Sequence, residues 1–278
     1  MAAFWRREWP DLKILISSDD MNVVLTFAVR SELAPWLRLR AFRAVKAERL
    51  ECYETAIPGS EVLAAVTGVG SSNAARAMRY ILKARMPDAV VASGLAGGLK
   101  PKYGVGDVLA ARCVRSERGD QQVSSSDALL RLAVERGAKA VDSMVSASAI
   151  VRTVEDKARL GELADAVDME SLAILTETRR AGIAAVAVRC VADTAGFDIP
   201  CDFSKMLDER GGMRLWRLAL EPLRAPHRLP VLIRFALASR RAACRLAEFL
   251  DGYVEAVVKS RLQDAVRGNT AALHLTQD

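Results

Sequence analysis

A short acidic segment is the first place in this chain where chemistry could occur. Residues Val167–Ser171 read Val-Asp-Met-Glu-Ser, and they lead from a predicted strand into a predicted helix over Leu172–Ala181. A carboxylate at a strand end has one solvated side and can accept hydrogen bonds from two adjacent hydroxyl groups, as a sugar would offer. The alternative is an acid that binds no ligand and stands at the start of a helix because the positive end of the helix dipole stabilises it. The other segments of the chain must separate these two interpretations.

Composition and charge limit the class of protein. The chain has 278 residues and is 51% hydrophobic, which is enough for one large domain with a sizeable core. Its formal net charge of +6 and its pI near 9.2 indicate anionic partners. The excess is local, because nine arginines and a single acid, Glu221, lie between Arg210 and Arg245. The remainder is close to neutral, so we predict no nucleic-acid partner.

The cysteine and histidine content argues against several kinds of site. The five cysteines form no Cys-x-x-Cys pair, and the two histidines, His227 and His274, fall in the C-terminal part. A disulfide framework, a metal site and a histidine-based triad are therefore not expected. No apolar run is long enough to cross a bilayer, and residues 1–20 lack the apolar core of a signal peptide. We expect a cytoplasmic protein with an N-terminal extension over residues 1–20.

Apolar strand patterns alternate with helical patterns over residues 21–203, which predicts an α/β domain with a mixed central sheet and helices on both faces. The predicted strands are Val23–Phe27, Phe42–Glu48, Tyr53–Ile57, Val62–Thr67, Ala89–Ser93, Asp107–Val114, Val141–Ser146 and Ala184–Val191. The predicted helices are Ser31–Leu39, Asn73–Ala84, Ala128–Arg136, Val154–Leu163 and Leu172–Ala181.

Beyond Asp202 only helical patterns remain, which predicts a helical C-terminal extension over residues 204–265 and a flexible tail over 266–278. The predicted helices are Leu215–Leu223 and Leu229–Leu250. The second has an apolar face opposite a basic one; the apolar residues are Leu232, Ile233, Ala236, Leu237 and Ala243, and the basic ones are Arg234, Arg241 and Arg245. Such a helix can lie on an anionic membrane surface. Packing on the domain or on a second subunit is the commoner alternative.

Two glycine-rich segments follow predicted strands, Gly68-x-Gly70 and Gly94-x-x-Gly97-Gly98. Turns of this kind bring backbone N–H groups close to an anion. Neither segment is a dinucleotide fingerprint or a P-loop, and each alone is more often only a tight turn. Together, at strand ends of one α/β sheet, they predict a ligand pocket, because ligands in such folds bind beyond the strand ends.

Five motifs follow one another in the order Ala28-x-x-x-Glu32, Thr67–Gly70, Gly94–Gly98 with Val105–Asp107, Val167–Ser171, and Arg189–Asp193. This series resembles that of the nucleoside phosphorylase and nucleosidase superfamily, which includes purine nucleoside phosphorylases and methylthioadenosine/S-adenosylhomocysteine nucleosidases. The resemblance runs from Met21 to about Phe203. It implies an α/β fold with a mixed, partly closed central β-sheet flanked by helices, and a nucleoside bound across the strand ends.

The resemblance also implies roles for individual residues. Met169, Glu170 and Val69 would hold the ribose, with the Glu170 carboxylate on its 2′ and 3′ hydroxyls. Asp193 would protonate purine N7 as the glycosidic bond breaks, a contribution of about 10²–10⁴-fold for one positioned acid. Glu32 would orient the attacking water of a nucleosidase. From the residues alone, Asp193 could be a helix cap and Glu32 an exposed acid in a first helical turn.

Further residues would bind the base or a phosphate nucleophile. Ile150 and Val151 belong to a segment, Ser146–Val151, that resembles the base-binding segment of the family. Phosphate, as a co-substrate, would be bound by Arg30 and by the backbone amides of Gly68, Gly70, Gly97 and Gly98. The alternative for Arg30 is a solvated surface side chain.

Three positions depart from the family pattern. Leu95 and Ala192 stand where serine is usual in nucleosidases, and Ile150 stands where an aromatic residue often stacks on adenine. These departures predict that ordinary nucleosidase activity is altered in this chain.

The C-terminal part resembles a narrower branch. The segments Val191–Pro200 and Leu223–Leu237 are similar to those of hopanoid-associated phosphorylases, which release adenine from adenosylhopane. This resemblance implies phosphorolysis of a lipid-linked nucleoside by a homo-oligomer with peripheral contact to the inner face of the membrane. No metal or organic cofactor is implied. Hydrolysis of methylthioadenosine or S-adenosylhomocysteine is the alternative, and a nucleoside-binding protein that has lost its chemistry is a third interpretation.

Overall fold

The computed structural model describes residues 21–47, 50–199 and 229–275. Its strands are β1 (Met21–Phe27), β2 (Arg43–Ala47), β3 (Leu50–Ile57), β4 (Ser60–Val66), β5 (Ala89–Gly98), β6 (Val108–Ser116), β7 (Gln122–Ser124), β8 (Lys139–Ser146), β9 (Ala166–Asp168) and β10 (Ala184–Asp193). Its helices are α1 (Arg30–Leu33), a 3-10 helix (Trp36–Arg38), α2 (Ser71–Ala84), α3 (Asp127–Glu135), α4 (Val154–Gly161), α5 (Ser171–Arg180) and α6 (Leu229–Leu275).

The strands form one sheet that is closed in part of its length. Their order is β10-β6-β8-β9-β5-β1-β4-β3-β2, with β7 on the edge of β6. Strand β10 also pairs with β5, so β5, β10, β6, β8 and β9 form a closed ring while β1 to β4 extend from it as an open sheet. Parallel and antiparallel pairs are both present. The expected α/β fold with a mixed, partly closed sheet is confirmed.

Strand β5 lies at the centre of this arrangement. On one edge it pairs with β10 from Ala89 to Gly97. On the other edge Ala89–Ala92 pairs with β1, while Gly97 and Gly98 pair with β9. Between these two pairings, the backbone of residues 93–96 has no strand partner on that edge in the described part of the chain. A gap in the sheet therefore opens beside the middle of β5.

Two apolar cores cover the two faces of the sheet, because strand residues point alternately to either side. Val23 and Leu25 of β1 pack on the face that carries α3 and α6, whereas Val24 packs on the face that carries α2 and α5. On the second face, Met78 of α2 and Ile174 of α5 are buried. The helices thus cover both faces, as the alternating pattern predicts.

The middle of α6 is part of the first core. Its buried residues recur every three or four positions and so form one face of the helix: Ala242, Ala243, Leu246, Leu250, Val254 and Val257. The indole Nε1 of Trp36 donates to Asp251 Oδ1 at 3.1 Å, which ties this part of α6 to the 3-10 helix. Packing on the domain, the alternative to membrane contact, therefore describes α6 from Ala242 to Val258.

The beginning of α6 differs from its middle. Ile233 and Leu237 are 51% and 60% exposed, while Leu232 and Phe235 contact the loop that follows β10. Proline at the second residue of the helix, Pro230, is favoured there because its missing N–H would have had no helical partner. The helix continues to Leu275, beyond the predicted end at Leu250 and into the region expected to be a flexible tail. The helix predicted over Leu215–Leu223 lies outside the described residues.

Two local predictions were wrong. The helix predicted over Ser31–Leu39 is only one turn, α1, followed by a separate 3-10 helix, because Pro35 has no N–H to continue the helical bonds. The predicted turn at Gly94–Gly98 is the last half of strand β5, paired with β10 and at its end with β9. Strand β7, which is three residues long, was not predicted.

Candidate active site

A buried arginine and three carboxylates meet beside the gap in the sheet. The Arg189 side chain, from β10, is 1% exposed. Its Nη2 lies 2.7 Å from Asp168 Oδ2 and 3.5 Å from Glu170 Oε2, and its Nε donates to Ser171 Oγ at 3.1 Å. Glu32 is the third acid whose charge acts on this guanidinium. One buried cation therefore faces three acids, and the excess of negative charge must be relieved by hydrogen bonds or by protonation.

Gly94 makes room for this cluster. It is the register partner of Arg189 across β5 and β10. Its φ of +139° is disfavoured for residues with a side chain, and a Cβ at this point would overlap the Arg189 guanidinium and come within 2.9 Å of Glu32 Oε2. Glycine is required here because the guanidinium and the Glu32 carboxylate occupy the space of a side chain.

Glu32 closes the gap between β1 and β5. Its side chain is buried, and its two oxygens accept from two separate segments: Oε2 from Ala28 N, just after β1, at 2.9 Å and Oε1 from Leu95 N of β5 at 3.1 Å. Burial raises the pKa of Glu32 above its usual range, against the opposing field of Arg189 and the backbone amides. A carboxylate with a raised pKa at this position can take a proton from a water molecule near neutral pH.

Glu170 joins the start of α5 to the Gly68–Gly70 turn. Its Oε1 accepts from Gly70 N at 2.8 Å. Burial raises the pKa of Glu170 to about 7; the neighbouring acids Asp168 and Glu32 add to this rise, while Arg189 and the Gly70 amide oppose it. Met169 reaches over the same turn, with its Cε 4.0 Å from the point where a Cβ on Gly70 would stand. Three residues predicted to bind ribose, Val69, Met169 and Glu170, therefore lie together.

Asp168 fixes the position of its neighbour Glu170. Its Oδ1 accepts from Ser146 Oγ, and its Oδ2 accepts from the backbone N of Ser171 at 3.1 Å. Ser146 Oγ in turn accepts from Leu172 N at 2.9 Å. These bonds hold the end of β8 to the start of α5. The Asp168 carboxylate is thereby fully engaged, which leaves Glu170 as the acid of this segment that can meet a sugar.

Asp193 ends β10 on the other side of β5. Its side chain is buried, and a Cβ on the facing residue, Gly97, would lie 3.2 Å from Asp193 Oδ2. The ammonium group of Lys157, from α4, donates to the same Oδ2 at 2.5 Å. Burial raises the pKa of Asp193, and the Lys157 ammonium group opposes that rise. Asp193 is therefore a buried acid whose Oδ1 makes no hydrogen bond to the described residues.

An apolar wall stands beside Asp193. Ile150 packs there with two residues of the loop after β10 and two of α6: Phe197, Ile199, Leu232 and Phe235. The rings of Phe197 and Phe235 stack with centroids 6.1 Å apart and planes 8° from parallel. Val151 packs instead in a neighbouring cluster with Leu99 and Leu160. An aromatic surface is thus present near Ile150, although Ile150 itself is not aromatic.

Comparison with known proteins assigns the family. The model of the Phosphorylase superfamily matches residues 31–209 of this chain, more than half of its length. The chain belongs to this superfamily. A 5′-methylthioadenosine/S-adenosylhomocysteine nucleosidase of Anoxybacillus flavithermus is 26% identical over 215 residues, which are 68% of this chain and 92% of that protein.

Two solved structures share the fold of this chain. Futalosine hydrolase of Helicobacter pylori superposes with a TM-score of 0.67 at 19% identity, covering 86% of this chain and 99% of that one. A 5′-methylthioadenosine/S-adenosyl homocysteine nucleosidase of Campylobacter jejuni gives a TM-score of 0.66 at 17% identity, covering 84% and 99%.

Two of the groups predicted to bind phosphate already have protein partners. The Arg30 side chain is 66% exposed, with its Nε 3.3 Å from Glu51 Oε1. The Gly70 amide donates to Glu170, and Gly97 is paired with both β9 and β10. Gly98 is likewise paired with β9, and Gly68 lies in the turn after β4 with a φ of +84°. The assignment of these groups to phosphate stays a prediction.

Sequence reasoning missed three contributors to the site. The sequence does contain a signal for Arg189, because a charged residue inside the apolar run of β10 indicates a buried ion pair. Lys157 carries no such signal, because a lysine in a charged helix is usually solvated. Phe235 is more than 80 residues away from Ile150 in the chain, so only the fold brings them together.

Two further observations concern ligands and membranes. In the described residues, histidine, cysteine, aspartate and glutamate side chains form no group of three or more that could hold a metal ion. Within the same ranges, no helix is both long enough and apolar enough to cross a membrane.

Proposed function

We propose that this protein hydrolyses the N-glycosidic bond of a 5′-substituted adenosine and releases adenine. The observation that carries the proposal is the placement of two buried acids along β5. Glu32 accepts from Leu95 N, and Asp193 lies against Gly97, two residues further along the strand. Two residues of extended chain span about 6.6 Å along the strand, to which the offset between its two edges adds. Inverting glycosidases place their two carboxyl groups about 6.5–9.5 Å apart, which leaves room for the attacking water.

The proposed reaction uses each acid once. Glu32 accepts a proton from water, whose oxygen forms a bond to C1′ of the ribose. The C1′–N9 bond breaks, its electron pair goes to the purine, and protonated Asp193 donates its proton to N7 so that neutral adenine leaves. Glu170 holds the ribose hydroxyls, and Arg189 limits the repulsion among Glu170, Asp168 and Glu32.

Water as the nucleophile is supported by the placement of the candidate phosphate ligands. Arg30 is paired with Glu51 on the surface, and the Gly70 amide is already bonded to Glu170. A phosphate dianion at this position would face Glu32 and Glu170 with one buried guanidinium to offset them, a repulsive arrangement. The nucleosidases and the hydrolase among the similar proteins are consistent with this choice. We propose methylthioadenosine and S-adenosylhomocysteine as the first substrates to test.

Phosphorolysis of adenosylhopane is the second candidate, and one surface favours it. Ile233 and Leu237 are exposed on the first turns of α6, next to the exposed Arg234 and Arg240. The same turns contact the apolar wall beside Asp193 through Phe235. An apolar and basic surface beside the pocket suits a nucleoside carried by a lipid in an anionic membrane.

The deciding experiment measures adenine release from methylthioadenosine, S-adenosylhomocysteine and adenosylhopane, each with and without phosphate. We expect phosphate-independent release from the first two. Release only from adenosylhopane and only with phosphate would support the second candidate. Tight binding of all three without release would instead indicate a nucleoside-binding protein.

A pair of variants tests the catalytic acid in the same assay. Asp193→Asn is expected to lower kcat by about 10²–10⁴-fold, because asparagine cannot donate the proton. Asp142→Asn, at a side chain that is 96% exposed, is the matched control and should retain full activity. Full activity of Asp193→Asn would refute the assignment.

A further inference from the structure

Lys157 is fully buried, whereas a lysine on a charged helix is usually exposed to solvent. Its side chain is 0% exposed, although it lies on α4 among exposed charged residues. Its ammonium group has three acceptors: Asp193 Oδ2 at 2.5 Å, the Thr194 carbonyl at 3.0 Å and the Phe197 carbonyl at 2.6 Å. An ammonium group can donate three hydrogen bonds, so its capacity is fully used at this point. A buried charge is tolerated only with partners of this quality.

The contacts around Lys157 join α4 to the turn that follows β10. The Asp198 carboxylate accepts from Val154 N at 2.7 Å, at the start of α4. Ile199 N donates to the Arg152 carbonyl at 2.9 Å. Both bonds lie at the start of α4, while Lys157, one turn further along the helix, contacts the first half of the turn and Asp193 itself. The turn carries Phe197, so its position also determines the apolar wall.

The other charged side chains near this contact are half-buried or exposed. The half-buried one is Arg152, whose Nε has no hydrogen-bond partner among the described residues. On α4, Arg159 Nη2 lies 3.5 Å from Asp156 Oδ1, with both side chains exposed. Asp198 on the turn binds the start of α4, and Arg234 on α6 is exposed. On β5, the facing residue is Gly97. Among the described residues, Lys157 is the charged group whose field acts on the Asp193 carboxyl.

We propose that Lys157 is a positioning residue for glycosidic-bond cleavage: it holds Asp193 Oδ2 and the turn behind it, so that Oδ1 is presented to the purine. The inference rests on the proposed function of Asp193 as the acid. When Asp193 gives its proton to N7, it becomes a buried carboxylate, and the ammonium group beside it stabilises that charge. The proton that reaches N7 comes from Asp193.

The direct test follows the two groups by NMR in the wild-type protein. The ¹³Cγ signal of Asp193 and the ¹⁵Nζ signal of Lys157 should report one common titration, because a change of charge on the carboxyl alters its bonded partner. Independent titrations of the two signals would overturn the proposal. This measurement requires neither enzymatic activity nor a substituted protein. It therefore tests the coupling between Lys157 and Asp193 even if the proposed function fails.

Three variants extend the test. Lys157→Met should move the Asp193 titration to higher pH, because the buried carboxylate loses its cation. Lys157→Arg keeps a cation and should leave the titration near that of the wild-type protein. Arg159→Met removes a positive charge from an exposed position on the same helix and should change nothing. An unshifted Asp193 titration in folded Lys157→Met would also overturn the proposal.

Activity then separates positioning from general loss of structure. We expect Lys157→Met to lower kcat by about 10–100-fold, part of what a positioned acid contributes, with a smaller change in KM. We also expect the ratio of kcat/KM at alkaline pH to that at neutral pH to rise by about threefold or more. A uniform fall at every pH would indicate only a structural role. If the wild-type protein released no base from any nucleoside, the proposed function and the positioning role in cleavage would fail, while the NMR titration would still decide whether Lys157 and Asp193 are coupled.

Discussion

Glu170→Gln is a substitution for which the structure predicts a large dependence of stability on pH. The Glu170 carboxyl is buried beside Asp168 and Glu32, and burial raises its pKa from the ordinary 4.5 to about 7. Folded protein therefore binds a proton at Glu170 over a pH range in which unfolded protein has released it. The resulting stability is fully present below about pH 4.5 and is lost as the pH rises through about 7.

The size of the effect follows from the two pKa values. A shift of this size corresponds to about 2–3 kcal/mol in the free energy of unfolding between about pH 5 and about pH 8. Glutamine has nearly the same shape as protonated glutamate and does not titrate. The wild-type protein should thus lose about 2–3 kcal/mol relative to Glu170→Gln over this interval. The absolute stabilities are less informative, because the neutral side chain also changes the contact with Arg189.

Urea unfolding of both proteins at four pH values across this interval measures the difference. Other groups titrate in both proteins, so the change with pH of the difference between them isolates Glu170 and the acids coupled to it. A difference that stays constant within about 0.5 kcal/mol would refute a raised pKa for Glu170. A difference that grows in the opposite direction would indicate that Arg189 controls the carboxylate and lowers its pKa instead.

Three further substitutions test the cluster and the apolar wall. Arg189→Met leaves three buried acids without a cation. In urea titrations it should lower the free energy of unfolding by about 3–5 kcal/mol at alkaline pH, and by less at acidic pH. An equal loss at both pH values would contradict the electrostatic cause. Gly94→Ala should abolish adenine release and reduce thermal stability, because its Cβ would overlap the Arg189 guanidinium. Gly119→Ala is the control, because Gly119 has a φ of +72° and a Cβ there would meet nothing within 4 Å. It should show only the cost of the backbone strain, about 1–2 kcal/mol. Phe235→Ala should raise KM for the nucleoside by about tenfold with little change in kcat, measured by initial rates, because in the proposed function the base packs on this aromatic surface, which takes no part in proton transfer. An unchanged KM would place the base elsewhere.

The sheet could be predicted because its signal is local. Strands such as β1 and β5 are apolar runs of strand length bounded by glycine or polar residues, and α2 has a helical period immediately after a glycine turn. The errors also have local causes. Pro35 ends a helix whose apolar pattern continues, and Gly94–Gly98 has turn composition but is kept extended by strands on both edges. Tertiary pairing overrides composition in the second case.

The site could be predicted only in part, for a physical reason. Met169, Glu170 and Val69 come together because two adjacent turns hold them, and each turn is marked in the sequence by its glycines or acids. Arg30 does not join them, because its side chain is long and finds a partner, Glu51, on the surface of the neighbouring strand. Lys157 reaches Asp193 across 36 positions, and nothing in the helix around it marks the contact.

The departures from the family pattern at Leu95 and Ile150 have different consequences once the fold is considered. The Leu95 side chain packs toward the core shared with α6, while its backbone N–H, which does not depend on the side chain, binds Glu32. A leucine instead of serine leaves Glu32 in place but removes a hydroxyl group, so in the proposed reaction Glu32 orients the water without it. At Ile150 the missing aromatic ring is offset by Phe197 and Phe235, one from the turn that Lys157 holds and one from α6. In the proposed function, recognition of the base therefore depends on α6, a helix that begins beyond the matched superfamily segment, and we expect substrate binding to depend on the packing of the C-terminal helix.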